Sequence, residues 1–275
     1  MREVGAVRTG GSANRRTSAA PRVRRFLPCH MPDLTPIVTH MRRRTPAPVA
    51  APVPFDPAAA RYARVLLGLS PGMVAQAMAS HGVYTVPPQV IAWEGGELLP
   101  REAELVALAR ALWCPVGQLM GGRAVSIRDH RLALDLPPAQ VAQGLGLTPR
   151  AYAQLEAAPR WDGDADRTLL LARILRLDSR ALVAATRREE QLRTLLQRAV
   201  DGRWQPQARA VAALVPTLAA GPERERQEWA LKLLHDEGQT AGALWGGDAP
   251  GGTAAADPDR ADVLLRRFWE LLESG

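Results

Sequence analysis

The chain has 275 residues, room for about two domains of ordinary size, with 35 basic and 28 acidic side chains and a formal charge of +7. No apolar run reaches the roughly 18 residues a membrane span needs, and Cys29 and Cys114 are too few for a disulfide framework, which suits a reducing cytoplasm. Nucleophile motifs, phosphate-binding loops, dinucleotide fingerprints and metal-ligand spacings are all missing, so neither catalysis nor a cofactor is expected.

The positive charge is concentrated at the start. Residues 1–45 hold ten Arg against Glu3 and Asp33, and the remainder of the chain sums to −1. Residues 1–56 are rich in Arg, Pro and small side chains and lack hydrophobic periodicity. Too little apolar surface is available there to offset ordering entropy, so a disordered tail is expected. Met31 and Met41 stand in frame as alternative starts. Arg24-Arg25-Phe26-Leu27 has the look of a twin-arginine export signal, but no apolar segment follows, and a cytoplasmic location is expected. Lys232 is the only lysine, which suggests a GC-rich bacterial genome.

From Ala58 onward the apolar residues recur at helical intervals, and one pattern occurs twice, over 57–121 and again over 122–187. Arg64, Leu67, Leu69, Val74, Ala75 and Gln76 have the spacing of Arg131, Leu134, Leu136, Val141, Ala142 and Gln143. Leu108, Ala109, Leu112 and Leu119 likewise match Leu171, Ala172, Leu175 and Leu182. The first repeat is electrically neutral, with four Arg and four Glu, whereas the second has ten Arg against seven acids. Residues 188–275 read as a helical C-terminal region, with helices near 184–200, 207–219 and 222–237. A flexible Gly/Pro/Asp-rich linker at 246–258 and an amphipathic helix near 259–273 complete it. No alternating strand pattern of useful length occurs, so the fold class is all-α.

Each repeat carries an early Arg (Arg64, Arg131) and a helix start at Gly68-Leu69-Ser70 or Asp135-Leu136-Pro137. A Val-Ala pair comes next (Val74-Ala75, Val141-Ala142), then a segment ending in Trp93-Glu94 or Leu155-Glu156, and later a Leu-Ala pair (Leu108-Ala109, Leu171-Ala172). In these residues both repeats resemble the Cro/CI-type, lambda-repressor-like (xenobiotic-response-element) helix-turn-helix domain. The resemblance implies two tandem helix-turn-helix domains, double-stranded DNA as partner and a role in transcription regulation. It also implies that Arg64 pairs with Glu94, and Arg131 with Glu156, to orient each recognition helix.

The repeats differ where DNA is read. In the second, Thr148 is placed to cap the recognition helix and Pro149 to open it. Arg150 and Gln154 lie one turn apart, suited to the bidentate patterns of guanine and adenine, while Gln140 and Gln143 on the preceding helix are phosphate-contact candidates. A solvated helix face is the plainer reading of Arg150 and Gln154. The acidic stretch with Asp162, Asp164 and Asp166 lies close by in sequence. The first repeat carries five extra residues around SHGVYTV, and its recognition segment presents Pro87, Pro88, Gln89, Ile91 and Ala92. Of these only Gln89 can hydrogen-bond a base edge.

Two functions are expected in consequence: a sequence-specific DNA-binding regulator, or an interaction adaptor or antagonist that keeps the fold without base readout. A homodimer or protein partner is expected through the C-terminal helices, centred on Val263, Leu264, Phe268, Trp269, Leu271 and Leu272. The competing expectation packs that last helix in cis on 222–237 through Trp229, Leu233 and Leu234.

Overall fold

A computed structural model describes residues 52–245 and 258–274. Residues 1–51 of the tail expected to be disordered over 1–56, and the linker expected at 246–258 save for its last residue, lie outside the described residues. Residues 52–56, which that expectation included, are described and hold two buried side chains, Val53 and Phe55. Among those described the protein is all-α, with fourteen α-helices and no strand. No helix among them is long and apolar enough to cross a membrane.

The first ten helices form two successive groups of five. The first group is α1 (Pro57–Leu66), α2 (Pro71–Ser80), α3 (Pro87–Glu94), α4 (Glu102–Ala111) and α5 (Val116–Leu119). The second is α6 (Ile127–Ala133), α7 (Pro138–Gly144), α8 (Pro149–Ala157), α9 (Ala165–Leu175) and α10 (Ser179–Ala185). The boundaries are set by local chemistry. Asp56, Ser70, Ser126, Thr148, Asp164 and Asp178 each cap a helix through a side-chain oxygen, satisfying amides the helix leaves without partners. Proline opens α1, α2, α3, α7 and α8, where its missing N–H is not needed. The link after the first helix of each group turns through a left-handed residue, Gly68 at φ 65° and Asp135 at φ 50°. Aspartate tolerates that region better than most side chains, so the same turn is made by two different residues.

Each group encloses its own core. Val74, Met78, Val90, Trp93, Leu105 and Leu108 fill the first, and Val141, Tyr152, Trp161, Leu171, Leu175 and Leu182 the second. The first core extends further toward the N-terminus than helical spacing indicated. Val53 and Phe55 are buried in it, and the Asp56 amide donates to the Leu119 carbonyl at 2.7 Å. These residues belong to no periodic helix, so hydrophobic spacing gave no sign of them.

The remaining helices are α11 (Glu189–Asp201), α12 (Trp204–Leu214), a 3-10 turn (Pro216–Leu218), α13 (Gly221–Trp245) and α14 (Pro258–Ser274). Leu192, Leu196, Val211, Leu231 and Leu234 close around Leu265, Phe268, Trp269 and Leu271 of α14. The last helix thus buries its apolar face within its own chain, against α11 as well as α13. Leu233 and Leu234 are in that seam, but Trp229 stays exposed. Of the residues expected to form an association surface on α14, only Val263 is exposed.

Candidate functional site

The clearest local construction is a clamp made once in each repeat. Arg64 on α1 donates from Nε and Nη2 to the two carboxylate oxygens of Glu94 at 2.6 and 2.7 Å, and from Nη1 to the Leu69 carbonyl at 2.9 Å. Arg131 on α6 does the same with Glu156, at 2.7 and 3.2 Å, and with the Leu136 carbonyl at 3.1 Å. One planar guanidinium therefore ties together the first helix, the turn after it and the end of the third helix. Only arginine has the fork geometry for this.

The second clamp has two additions that the first lacks. Tyr152, buried on α8, donates its hydroxyl to Glu156 at 2.9 Å. Burial first, then the Glu156 carboxylate, pushes the phenol above its ordinary pKa, so it remains a donor at any physiological pH. Glu102, at the start of α4 in the first repeat, accepts from Arg131 at 2.9 Å and from Arg128 at 3.0 Å. The Arg131 side chain is 2% exposed against 15% for Arg64. Its burial disfavours the charged form, yet Glu156 and Glu102 outweigh that and raise its pKa above the ordinary value. A second bridge joins the repeats, from Arg110 to Asp135 at 3.0 and 3.2 Å. Neither Glu102 nor Asp135 was legible as a partner, because each lies in one repeat and serves the other.

α8 is held from behind by this network and offers its other side to solvent. Arg150 and Gln154 are both exposed, one turn or about 6 Å apart along the axis. Neither makes a side-chain hydrogen bond or ion pair with another described residue. Thr148 caps the helix, its hydroxyl accepting from the Ala151 amide at 3.2 Å. Gln140 and Gln143 on α7 are exposed too, and α7 packs directly on α8.

The acidic stretch between α8 and α9 is partly occupied with structure. Trp161 is buried and its indole N–H donates to Thr168 at 2.8 Å. A side chain at Gly163 would collide with that ring at 2.5 Å. Asp164 caps α9, accepting from the Arg167 amide at 2.8 Å. Asp162 and Asp166 are exposed.

Gln89, the one polar candidate on α3, is half-buried and engaged. Thr85 donates to its carbonyl at 3.0 Å, and its amide lies 3.5 Å from Glu104. Thr85 comes from the inserted turn, which consumes the side chain that was expected to face DNA. The exposed part of α3 is apolar, consisting of Pro87, Pro88 and Ile91.

Against known proteins the chain finds no counterpart: no protein-family model, no curated protein and no solved structure matches it.

Proposed function

We propose that the protein is a sequence-specific DNA-binding regulator of the Cro/CI helix-turn-helix type, built from tandem modules, in which the second repeat reads the bases. The observation that carries this reading is the outward face of α8. It places a free guanidinium and a free carboxamide one turn apart on a helix whose inner side is locked by Arg131, Glu156 and Tyr152. Rigid presentation of that kind suits major-groove readout, where one side chain forks onto guanine O6 and N7 and the other onto adenine N6 and N7. Gln140 and Gln143 on the adjoining helix supply phosphate contacts that set register without reading sequence. No step of this function is catalytic. The first repeat shares the fold but contributes no base reader, since Gln89 is engaged and its neighbours are apolar.

Arg150→Ala is expected to lower affinity for the preferred DNA site and to cost about 1–3 kcal/mol of discrimination at a single base pair. Substituting Arg150 leaves the core untouched, so stability should stay within about 0.5 kcal/mol of the parent. Titration of the parent and the variant against a set of single-base site variants reads both quantities. Equal affinity and equal preference in the two proteins would remove the second repeat as the reader.

A further inference from the structure

The inserted turn of the first repeat changes the character of its outer face. Between Arg64 and Glu94 no residue carries a formal charge, a stretch that spans α2, the turn and nearly all of α3. Within it Tyr84 is 87% exposed, Val86 57%, Ile91 56% and Met73 50%, and Pro87 and Pro88 are exposed as well. Tyr84 and Val86 run directly into Pro87 and Pro88, and Ile91 lies one helical turn further along α3. Gly72, next to Met73, faces the Pro87 ring, where an added Cβ would stand 3.9 Å from it. Thr85 fixes the turn to α3 through its hydrogen bond to Gln89.

From their fractional exposure the six present roughly 550 Å² of mostly apolar surface, at the upper end of what the largest patch on an ordinary monomer reaches, a size that is often functional. DNA is a poor occupant for a stretch that offers no basic side chain and has the Glu104 carboxylate beside Gln89, because phosphate contacts supply most of nucleic-acid affinity. We propose that this face is a two-fold interface on which a second copy of the chain docks, α3 and its inserted turn packing against their counterparts. A patch without charge meets itself without repulsion, as an isologous interface requires. Covered in two copies it would bury on the order of 1,100 Å², just above the roughly 1,000 Å² expected of a specific interface. The helix at the C-terminus does not compete for this role, since its apolar face is buried in cis. Self-association through this face is independent of whether the second repeat reads DNA.

The test is the oligomeric state of the full chain without DNA, by sedimentation equilibrium over a range of concentrations, for the parent, the Tyr84→Glu/Ile91→Glu variant and the Tyr62→Glu/Leu66→Glu variant. The second variant loads the exposed outer side of α1 instead. Both substituted pairs are solvent-exposed, and circular dichroism checks that each variant is folded. The expected result is a parent dimer whose dissociation constant rises at least about 100-fold in the Tyr84/Ile91 variant, as two like charges meet their copies without partners, and stays within a few-fold in the other. A monomeric parent at every concentration overturns the proposal, as does a dimer weakened only by the α1 substitutions. A parent dimer unchanged by Tyr84→Glu/Ile91→Glu overturns it too. If DNA affinity of the parent falls when thymine is replaced by uracil, and Ile91→Glu abolishes that dependence while leaving association intact, the face reads thymine methyls instead.

Discussion

Replacing Arg131 with alanine is expected to destabilise the second repeat by about 3–5 kcal/mol, the usual cost of breaking a buried ion pair from one side. Glu156 keeps its Tyr152 partner but loses both guanidinium bonds, and Glu102 loses the nearer of the charges linking it to the second repeat. The equivalent change in the first repeat, Arg64→Ala, leaves only Glu94 and the Leu69 carbonyl unmatched at a more accessible site. Its cost should be smaller, about 2 kcal/mol. Hydrogen exchange resolved over α3 and α8 measures the two separately. Arg131→Ala should collapse protection of α8, with a lesser loss in α4 through Glu102. Equal losses in the two repeats, or a change under about 1 kcal/mol at Arg131, would show that the deeper clamp is energetically ordinary.

Ending the chain at Leu244 removes α14 and should unfold most of the helical region beyond residue 188. Leu265, Phe268, Trp269 and Leu271 are buried against α11 and α13. Each contributes about 1.5–3 kcal/mol by burial, and their sum is comparable with the whole stability of a domain, about 5–15 kcal/mol. The loss has a route into the second repeat. Arg188 donates to the carbonyls of Leu214 and Gly163 at 2.9 and 3.0 Å, and Ser179 meets Thr217 at 2.7 Å. Helical content and exchange protection over α11–α13 are the readouts. A truncated chain that keeps both would mean that α14 is an appendage, free to serve another partner.

The clamps were expected because both repeats resemble a helix-turn-helix domain in which such an Arg–Glu pair is implied. The occurrence of the Arg and the Glu in both copies added weight to a pairing that the resemblance implied, although 30 residues separate them in the first repeat and 25 in the second. Helix starts were legible for local reasons, as Thr148-Pro149 shows. The features that escaped notice depend on contacts between segments far apart in sequence. Glu102 carries no periodic mark, and its role exists only because α4 lies against α6. Gln89 looked like a reader by type and position, but the hydroxyl that engages it sits in an insertion whose path the spacing does not determine. The apolar stripe of α14 was plain, whereas its occupant was not, because an amphipathic helix carries the same pattern whether its cover is the same chain or another. Val53 and Phe55 are core residues without helical spacing, outside the reach of periodicity.

The central proposal is that α8 of the second repeat reads DNA through Arg150 and Gln154. Its most direct measurement is selection of a random duplex library on the purified full-length protein, run in parallel with the Arg150→Ala/Gln154→Ala variant at one stated salt concentration. Enrichment of a defined motif by the parent, with information lost by the variant at two neighbouring base pairs, one of them a G·C, is the predicted result. Recovery of no motif by the parent, or of the same motif by both proteins, would contradict it.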